Sequence, residues 1–308
     1  MTRKRRGQPV HGWLILDKPL GMSSSGAVAI VRRLLDAAKA GHGGTLDPLA
    51  TGVLPIALGE ATKTVAYAMG SRKTYRFTLR WGEARSTDDT EGEVIATSAA
   101  RPSQEQILAA LPAFEGTTLQ RPPDFSAIKV EGERAYDLAR GGSAPDLAPR
   151  PVEVARLILL GLPDPDHADF EAEVGKGTYI RALGRDLGLA LGCYAHVSAL
   201  RRLSVGCFTL DAAISLDKLE SLGHSPAASG HLLPIETALD DIPALALSGE
   251  EAEALRCGRV VTPLRPSDRA RIDLLGDGAT IRATSDGRLV ALAAIDKGLI
   301  RPVRVMNL

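Results

Sequence analysis

The nine residues Lys73 to Trp81, KTYRFTLRW, constrain the fold more than any other stretch of this chain. Tyr75, Phe77, Leu79 and Trp81 fall on one side of an extended backbone, and Arg76 and Arg80 on the other. This predicts a half-buried strand, with Tyr75 at its exposed end. GWLILD (12–17), PVEVARLILLGL (151–162) and ADFEAEVG (168–175) read as further strands. VLPIAL (53–58) is another, held to an edge or a bend by Pro55, which cannot donate to a ladder.

Helical periods lie between these strands. SSGAVAIVRRLLDAAKAG carries an apolar stripe of Ala27, Val31, Leu34, Leu35 and Ala38. Ser24 or Ser25 is its predicted cap and Gly41 its end. A short helix is expected over GEATKTVAYAMG. Ser103 and Gln106 form a capping box before QILAALPAF. QRPPDFSAIKVEGERAYDLARGG reads as a loop, a strand, a turn at Glu131-Gly132 and a helix. In KGTYIRALGRDLGLALG, Thr178 is the predicted cap; Tyr179, Leu183 and Leu187 share a face, which puts Arg181 in the first turn. Strands and helices alternate without a βαβ rhythm. The expected class is therefore α+β, a mixed and largely antiparallel central sheet with flanking helices. DIPALALSGE (241–250) reads as a boundary, dividing the chain into 1–245 and a small β-rich part, 246–308, with a turn at Ser285-Asp286-Gly287.

The 308 residues hold no apolar run near the ~20 needed to cross a bilayer. Trp13 to Leu16 is too short a stretch for a secretion signal. A cytoplasmic protein without a membrane partner is expected. Cys193, Cys207 and Cys257 are scattered, which argues against a disulfide framework or a zinc site and for buried thiols. The six histidines show no ligand spacing, so neither metal nor cofactor is expected. Net charge is zero, with 37 basic and 37 acidic side chains, yet residues 1–81 hold 13 Lys or Arg against 4 Asp or Glu. That asymmetry fits one basic face for nucleic acid, or a solvated RKRR tail.

GHGGTLDPLATG (41–52) is the segment that invites chemistry. Pro48 biases Asp47 toward extended backbone and so fixes its side-chain direction. Glycines 41, 43 and 44 leave room for another backbone to approach. A carboxylate there can serve as nucleophile or general base, or simply close an Asp-Pro turn on itself. No serine triad, phosphate loop, dinucleotide fingerprint or metal cluster competes elsewhere.

LDKPLGMSS (16–24), GHGGTLDPLATGVLPIALGEATK (41–63), KTYRF (73–77), PPDFSAIK (122–129), GKGTYIRALGRDLG (175–188) and HVSALRRLSVGCF (196–208) together resemble the TruB family of tRNA pseudouridine-55 synthases. The blocks come in the family's order across most of residues 11–210. The resemblance implies a pseudouridine synthase fold with a small C-terminal PUA-like RNA-binding domain. It implies isomerisation of one uridine, position 55 in the T-arm loop of tRNA, by a monomer without cofactor, metal or guide RNA. Asp47 matches the catalytic aspartate, acting at the sugar C1′ or at the base, and Tyr75 and Arg181 complete the implied catalytic set. Tyr75 would stack under the flipped ring, and its phenol would handle the proton lost from carbon. Arg181 would pin the carboxylate by charge-assisted bonds. His42 would fill the space left by the extruded base. Tyr179 and Leu200 match pocket positions, and Lys18 supports the loop or meets a phosphate. Arg3 to Arg6, Arg32, Arg33, Lys63, Lys73 and Lys129 are candidates for contacts along the RNA.

Three other functions fit parts of the pattern. Guide-RNA-dependent, dyskerin-like relatives share the aspartate block, but with longer basic tails. A tRNA-folding chaperone would need no catalysis. A carboxylate glycosidase needs a second acid, and none accompanies Asp47 in the matched loop.

Overall fold

The computed structural model describes residues 7–126, 128–130, 133–141, 146–223, 225–263 and 265–308. Its strands run in chain order β1 (Gly12–Lys18), β2 (Ala40–His42), β3 (Ala50–Leu58) and β4 (Lys73–Trp81), then a hairpin of β5 (Glu83–Arg85) and β6 (Val94–Thr97), and β7 (Gly116–Gln120). A short pair, β8 (Lys129–Val130) and β9 (Glu133–Arg134), precedes β10 (Arg150–Asp164), β11 (His167–Val174), β12 (Ala195–Val205), β13 (Phe208–Thr209) and β14 (Ile214–Ser215). The turn expected at Glu131-Gly132 lies outside the described residues. Helices α1 (Ser24–Leu34), α2 (Val65–Gly70), α3 (Gln104–Ala110), α4 (Ala135–Arg140) and α5 (Ile180–Ala190) are interspersed.

One sheet runs β14-β1-β3-β12-β4-β11-β10-β7, with β13 on β12 and β2 on β3. Its pairings are antiparallel except β1 with β14 and β3 with β12. The mixed, largely antiparallel α+β class is thus as expected. The alternating stretch becomes β4, between β12 and β11. Phe77, Leu79 and Trp81 are buried on its inner face. Phe77 stands opposite Phe170 of β11, their rings stacked 5.4 Å apart, and Trp81 meets Phe170 edge-on. Such cross-strand aromatic pairs fix register as well as bury area.

Four local expectations change. The cap of α1 is Ser23, whose Oγ accepts from the Gly26 N–H, because the Ser24 hydroxyl is taken by the Asp47 loop. The helix ends at Leu34, not Gly41; Asp36 turns the chain with φ 46°, and Ala40–His42 becomes β2. The cap of α5 is Tyr179, not Thr178, whose hydroxyl bonds the Glu153 carbonyl instead. Pro55 lies inside the sheet, opposite Ile15 of β1. On its other side β3 pairs with β12 over residues 50–52 and with β2 over 56–58, so Pro55 falls at the change of neighbour, where its missing N–H leaves no gap in a ladder. The Ser103–Gln106 capping box forms as expected.

A second sheet, β15 (Ala244–Ala246), β16 (Thr280–Ser285), β17 (Arg288–Asp296) and β18 (Leu299–Val305), follows. The predicted turn between β16 and β17 forms, with positive φ at both Asp286 and Gly287. Because β15 already pairs with β16, it straddles the expected 245/246 division. Leu289, Leu292 and Met306 pack with Trp13, Ile15, Val53 and Phe208, so this sheet is cored against the larger one. Of the cysteines, only Cys193 is buried as expected; Cys207 and Cys257 are exposed. Among the described residues, no helix is long and apolar enough to cross a membrane.

Helix α5 lies close on the large sheet because glycine faces it. A Cβ at Gly184 would sit 2.5 Å from a Leu79 methyl. Gly184→Ala is expected to destabilise the fold by about 1–3 kcal/mol through overpacking. Thermal unfolding checks this, and an unchanged Tm would count against so tight a seat for α5.

Candidate active site

The segment 43–49, between β2 and β3, is held almost entirely by its backbone. Ser24 Oγ donates to the Leu46 carbonyl at 2.9 Å and accepts from the Leu46 N–H at 2.8 Å. Lys18 is fully buried, and its Nζ donates to the carbonyls of Pro19, Met22 and Pro48. The Gly21 N–H also reaches Pro48 O. From β12, the buried Arg202 donates to Val53 O at 2.7 Å, Thr45 O at 3.1 Å and Gly44 O at 3.0 Å. Gly52 makes that approach possible: its φ is 100°, and a Cβ there would lie 2.1 Å from Arg202 O. These anchors flank Asp47 on both sides and leave its side chain 36% exposed.

Arg181, in the first turn of α5, is only 4% exposed. Its Nε donates to Asp47 Oδ2 at 2.9 Å, Nη1 to Thr87 O at 2.9 Å and Nη2 to Phe125 O at 2.9 Å. A second carboxylate, Asp89, stands 3.5 Å from the same Nε and is buried. Asp89 itself accepts from the Thr87 hydroxyl and the Glu91 N–H. A buried guanidinium needs this number of acceptors to offset its lost hydration. The start of α5 is placed by Gln120, whose side-chain amide both accepts from Tyr179 N–H and donates to Tyr179 O.

These residues border a cleft of about 260 Å³. Asp47, Tyr75, Tyr179, Arg181 and Leu200 all line it, as do Lys73 and Arg202. Five of the nine site residues expected from the sequence therefore converge. Of the other four, Lys18, His42 and Lys63 do not line it. Lys18 lies beneath the loop, in the supporting role. His42, on β2, has a buried Nδ1 without a hydrogen-bond partner. Lys63 gives its ammonium to Glu60 Oε2 at 2.5 Å and Val305 O at 2.7 Å, joining the two sheets. Lys129 is on β8, and its side chain lies outside the described residues, as do Arg3 to Arg6. Arg32 and Arg33 are exposed on α1.

The cleft has few carboxylates and several buried cations, and their pKa values respond. Burial pushes Lys18 down to about 8, against the pull of Asp47 and with a further push from Arg202. Burial, then the charges of Arg202 and Lys176, pushes Lys73 down to about 8. His42 is lowered by burial and then by Arg202, so its imidazole is neutral at pH 7. Burial pushes the Tyr179 phenol up. Among the described residues no group of three or more His, Cys, Asp or Glu could hold a metal ion.

The sequence does not single out Asp89 or Arg202, and it marks Ser24 only as a helix cap. Asp89 sits in STDDTEG, which reads as a solvated acidic connector; Arg202 is one of two adjacent arginines in a strand; Ser24 is one of three serines in a row.

A part-exposed aspartate gripped by a buried arginine, beside a tyrosine in an open cleft of a mixed sheet, is an arrangement able to support carboxylate chemistry. Residues 32–180 match the TruB family pseudouridylate synthase (N terminal domain), and 181–240 match the tRNA pseudouridylate synthase B C-terminal domain. Proteins called tRNA pseudouridine synthase B are similar over the whole chain. That of Bradyrhizobium diazoefficiens is 56% identical over 311 residues, 99% of this chain and 88% of its own. That of Rhodospirillum rubrum is 53% identical over 308 residues and the full length of both. An archaeal box H/ACA sRNP Nop10–Cbf5 complex shares the fold, with TM-score 0.72 and 24% identity over 99% of this chain and 92% of that one. The chain belongs to the TruB family of pseudouridylate synthases.

Lys18→Met removes three donors from beneath the Asp47 loop and is expected to slow turnover by roughly 10- to 100-fold, the cost of misplacing a reacting group. Circular dichroism should show the fold retained. In the parent enzyme, Lys18 loses a proton as pH rises through about 8. The neutral amine then has two N–H groups for three carbonyls. Activity should decline on that alkaline side, and the decline should be absent in the variant.

Proposed function

We propose that this enzyme isomerises the uridine at position 55, in the T-arm loop of tRNA, to pseudouridine, acting as a monomer and without a guide RNA. The observation that carries this reading is the ion pair of 2.9 Å between Asp47 and Arg181, set in the wall of a cleft also lined by Tyr75. The relatives called tRNA pseudouridine synthase B support the choice of tRNA.

A cleft of about 260 Å³ suits one nucleoside rather than a stacked loop. The target base would therefore be extruded, at a cost of a few kcal/mol. Tyr75 and Leu200 offer the flipped ring a stacking and an apolar wall, with base–aromatic stacking worth ~1–3 kcal/mol. His42 is the residue to occupy the vacated place in the RNA, and its uncharged imidazole suits stacking between bases.

In the net reaction the bond from C1′ to N1 breaks and a bond from C1′ to C5 forms. The proton on C5 leaves and N1 gains one, so no atom is lost and no redox partner enters. Asp47 is the nucleophile, through attack either on C1′, which expels the uracil as an anion, or on the base. Arg181 holds Oδ2 and so orients the carboxylate for either route. Tyr75, which lines the same cleft, handles the C5 proton in this reading. The exposed arginines of α1 and the second sheet, as a PUA-like module, are the proposed RNA-binding surfaces. Lys63 acts there indirectly, by tying that sheet to the catalytic part.

The test is the purified protein on unmodified tRNA transcript with no guide RNA. Tritium release from 5-³H-uridine and mapping of the product at position 55 are expected. Asp47→Asn should keep tRNA binding and lose at least ~10³-fold in rate, as removal of a nucleophile does. Tyr75→Phe keeps the ring; a normal rate with it would remove the phenol from proton transfer.

A further inference from the structure

We propose that Arg185 and Asp88 are a positioning pair for this reaction, an outer ion pair that sets the partners of Arg181. Arg185 follows Arg181 by one turn on the same face of α5. The two arginines clamp the same two segments. Arg181 takes the carbonyls of Thr87 and Phe125. Arg185 takes Asp88 Oδ2 at 2.9 Å through Nη1 and the Arg121 carbonyl at 2.8 Å through Nη2, while its Nε rests on Asp186. Each segment is thus gripped twice, once at the cleft and once a turn behind it.

Asp88 lies between Thr87 and Asp89, the two residues of its loop that meet Arg181. Its φ is 60°, a left-handed conformation that Asp tolerates better than most residues but that needs support. Backbone bonds to Arg85 O and from Val197 N supply part of that support, and the Arg185 contact supplies the rest. The kink turns the Thr87 carbonyl and the Asp89 carboxylate toward the same guanidinium. Arg185 therefore acts on the reaction through Arg181, not by touching substrate.

The two partners respond differently to the pairing: burial lowers Arg185, but Asp186 and Asp88 outweigh it and raise the guanidinium, whereas Asp88 gains nothing from its own charge. The groups facing Asp88 are Arg185, Arg181 and Asp186 of α5, with Asp89 beside it on its own loop. Burial raises Asp88 to about 6, outweighing the two arginines. A carboxyl raised above its ordinary value of 3.8 binds its proton more tightly in the folded state. Its ionisation thus costs stability at neutral pH, and that cost is relieved as pH falls through about 6.

The proposal rests on Asp47 and Arg181 being the reacting pair, and the experiment separates the two. Single-turnover rate, tRNA affinity and Tm are measured for Asp88→Asn, Arg185→Lys, Arg185→Met and the Asp88→Asn/Arg185→Met double variant, with Asp47→Asn alongside. Asp88→Asn should lower the rate by roughly 10- to 100-fold with affinity kept and Tm unchanged or raised. Arg185→Lys keeps a cation for Asp88 and should lose less than Arg185→Met. The double variant should lose no more than the worse single. Below pH 6 the parent's rate should fall toward that of Asp88→Asn. A parent-like rate for Asp88→Asn, or a loss matched by a lowered Tm or weakened tRNA binding, overturns the pair's role. Should Arg185→Met fail to fold, the isosteric Asp88→Asn still decides. An active Asp47→Asn would instead refute the reacting pair.

Discussion

The site depends on one guanidinium buried away from water. Arg181 is 4% exposed, and a charge in that position is tolerated because each of its three guanidinium nitrogens meets an acceptor. The acceptors come from three separate segments: Asp47 in the β2–β3 loop, Thr87 and Asp89 after β5, and Phe125 after β7. Thr87 and Phe125 each hold a different terminal nitrogen, and the two carboxylates share Nε. The need to satisfy this side chain therefore brings together chain segments that share no strand pairing at the site, and the cleft is the space they leave.

A second set of constraints fixes the carboxylate. Lys18, Ser24 and Arg202 bind backbone atoms around Asp47 rather than the residue itself. Backbone partners fix where the main chain runs and leave the side chain exposed to a ligand. Burial lowers the pKa values of Lys18, His42 and Lys73, and the positive charge of Arg202 lowers each further. A ligand group that develops negative charge in the cleft meets a field already in place.

The sheet supplies the rigidity that such a loop requires. Strand β3 leaves the loop into the middle of the large sheet, and its first residues pair with β12, which carries both Leu200 and Arg202. β12 also pairs with β4, which carries Tyr75, so Tyr75 stands opposite Arg202 in register. Two walls of the cleft are thus the adjacent strands β12 and β4, with spacing set by hydrogen bonds, and β3 roots the loop that carries Asp47. Helix α5 packs on the sheet rather than pairing with it, and Gly184 seats that helix against Leu79.

The alternation of KTYRFTLRW, the Ser103–Gln106 box and the Asp286-Gly287 turn were legible because each is decided by forces acting within a few residues. So was the chemical promise of Asp47, since Pro48 and the glycines act locally. The choice of Ser23 over Ser24 as cap, the interior place of Pro55 and the recruitment of Asp89 were not legible. All three serines can cap a helix, and only the Leu46 backbone takes one of them out of competition. Pro55 is excluded from an inner strand by local rules and admitted because two neighbours of β3 happen to stop on either side of it. Asp89 is a solvated turn residue by its surroundings in sequence, and a buried one because Arg181, far along the chain, needs a further acceptor. The sequence alone determined the periodic elements and the one loop that can hold a reactive carboxylate. The tertiary structure decided which distant carbonyls and charges meet that loop, because strand register and helix height are set by packing across the whole sheet.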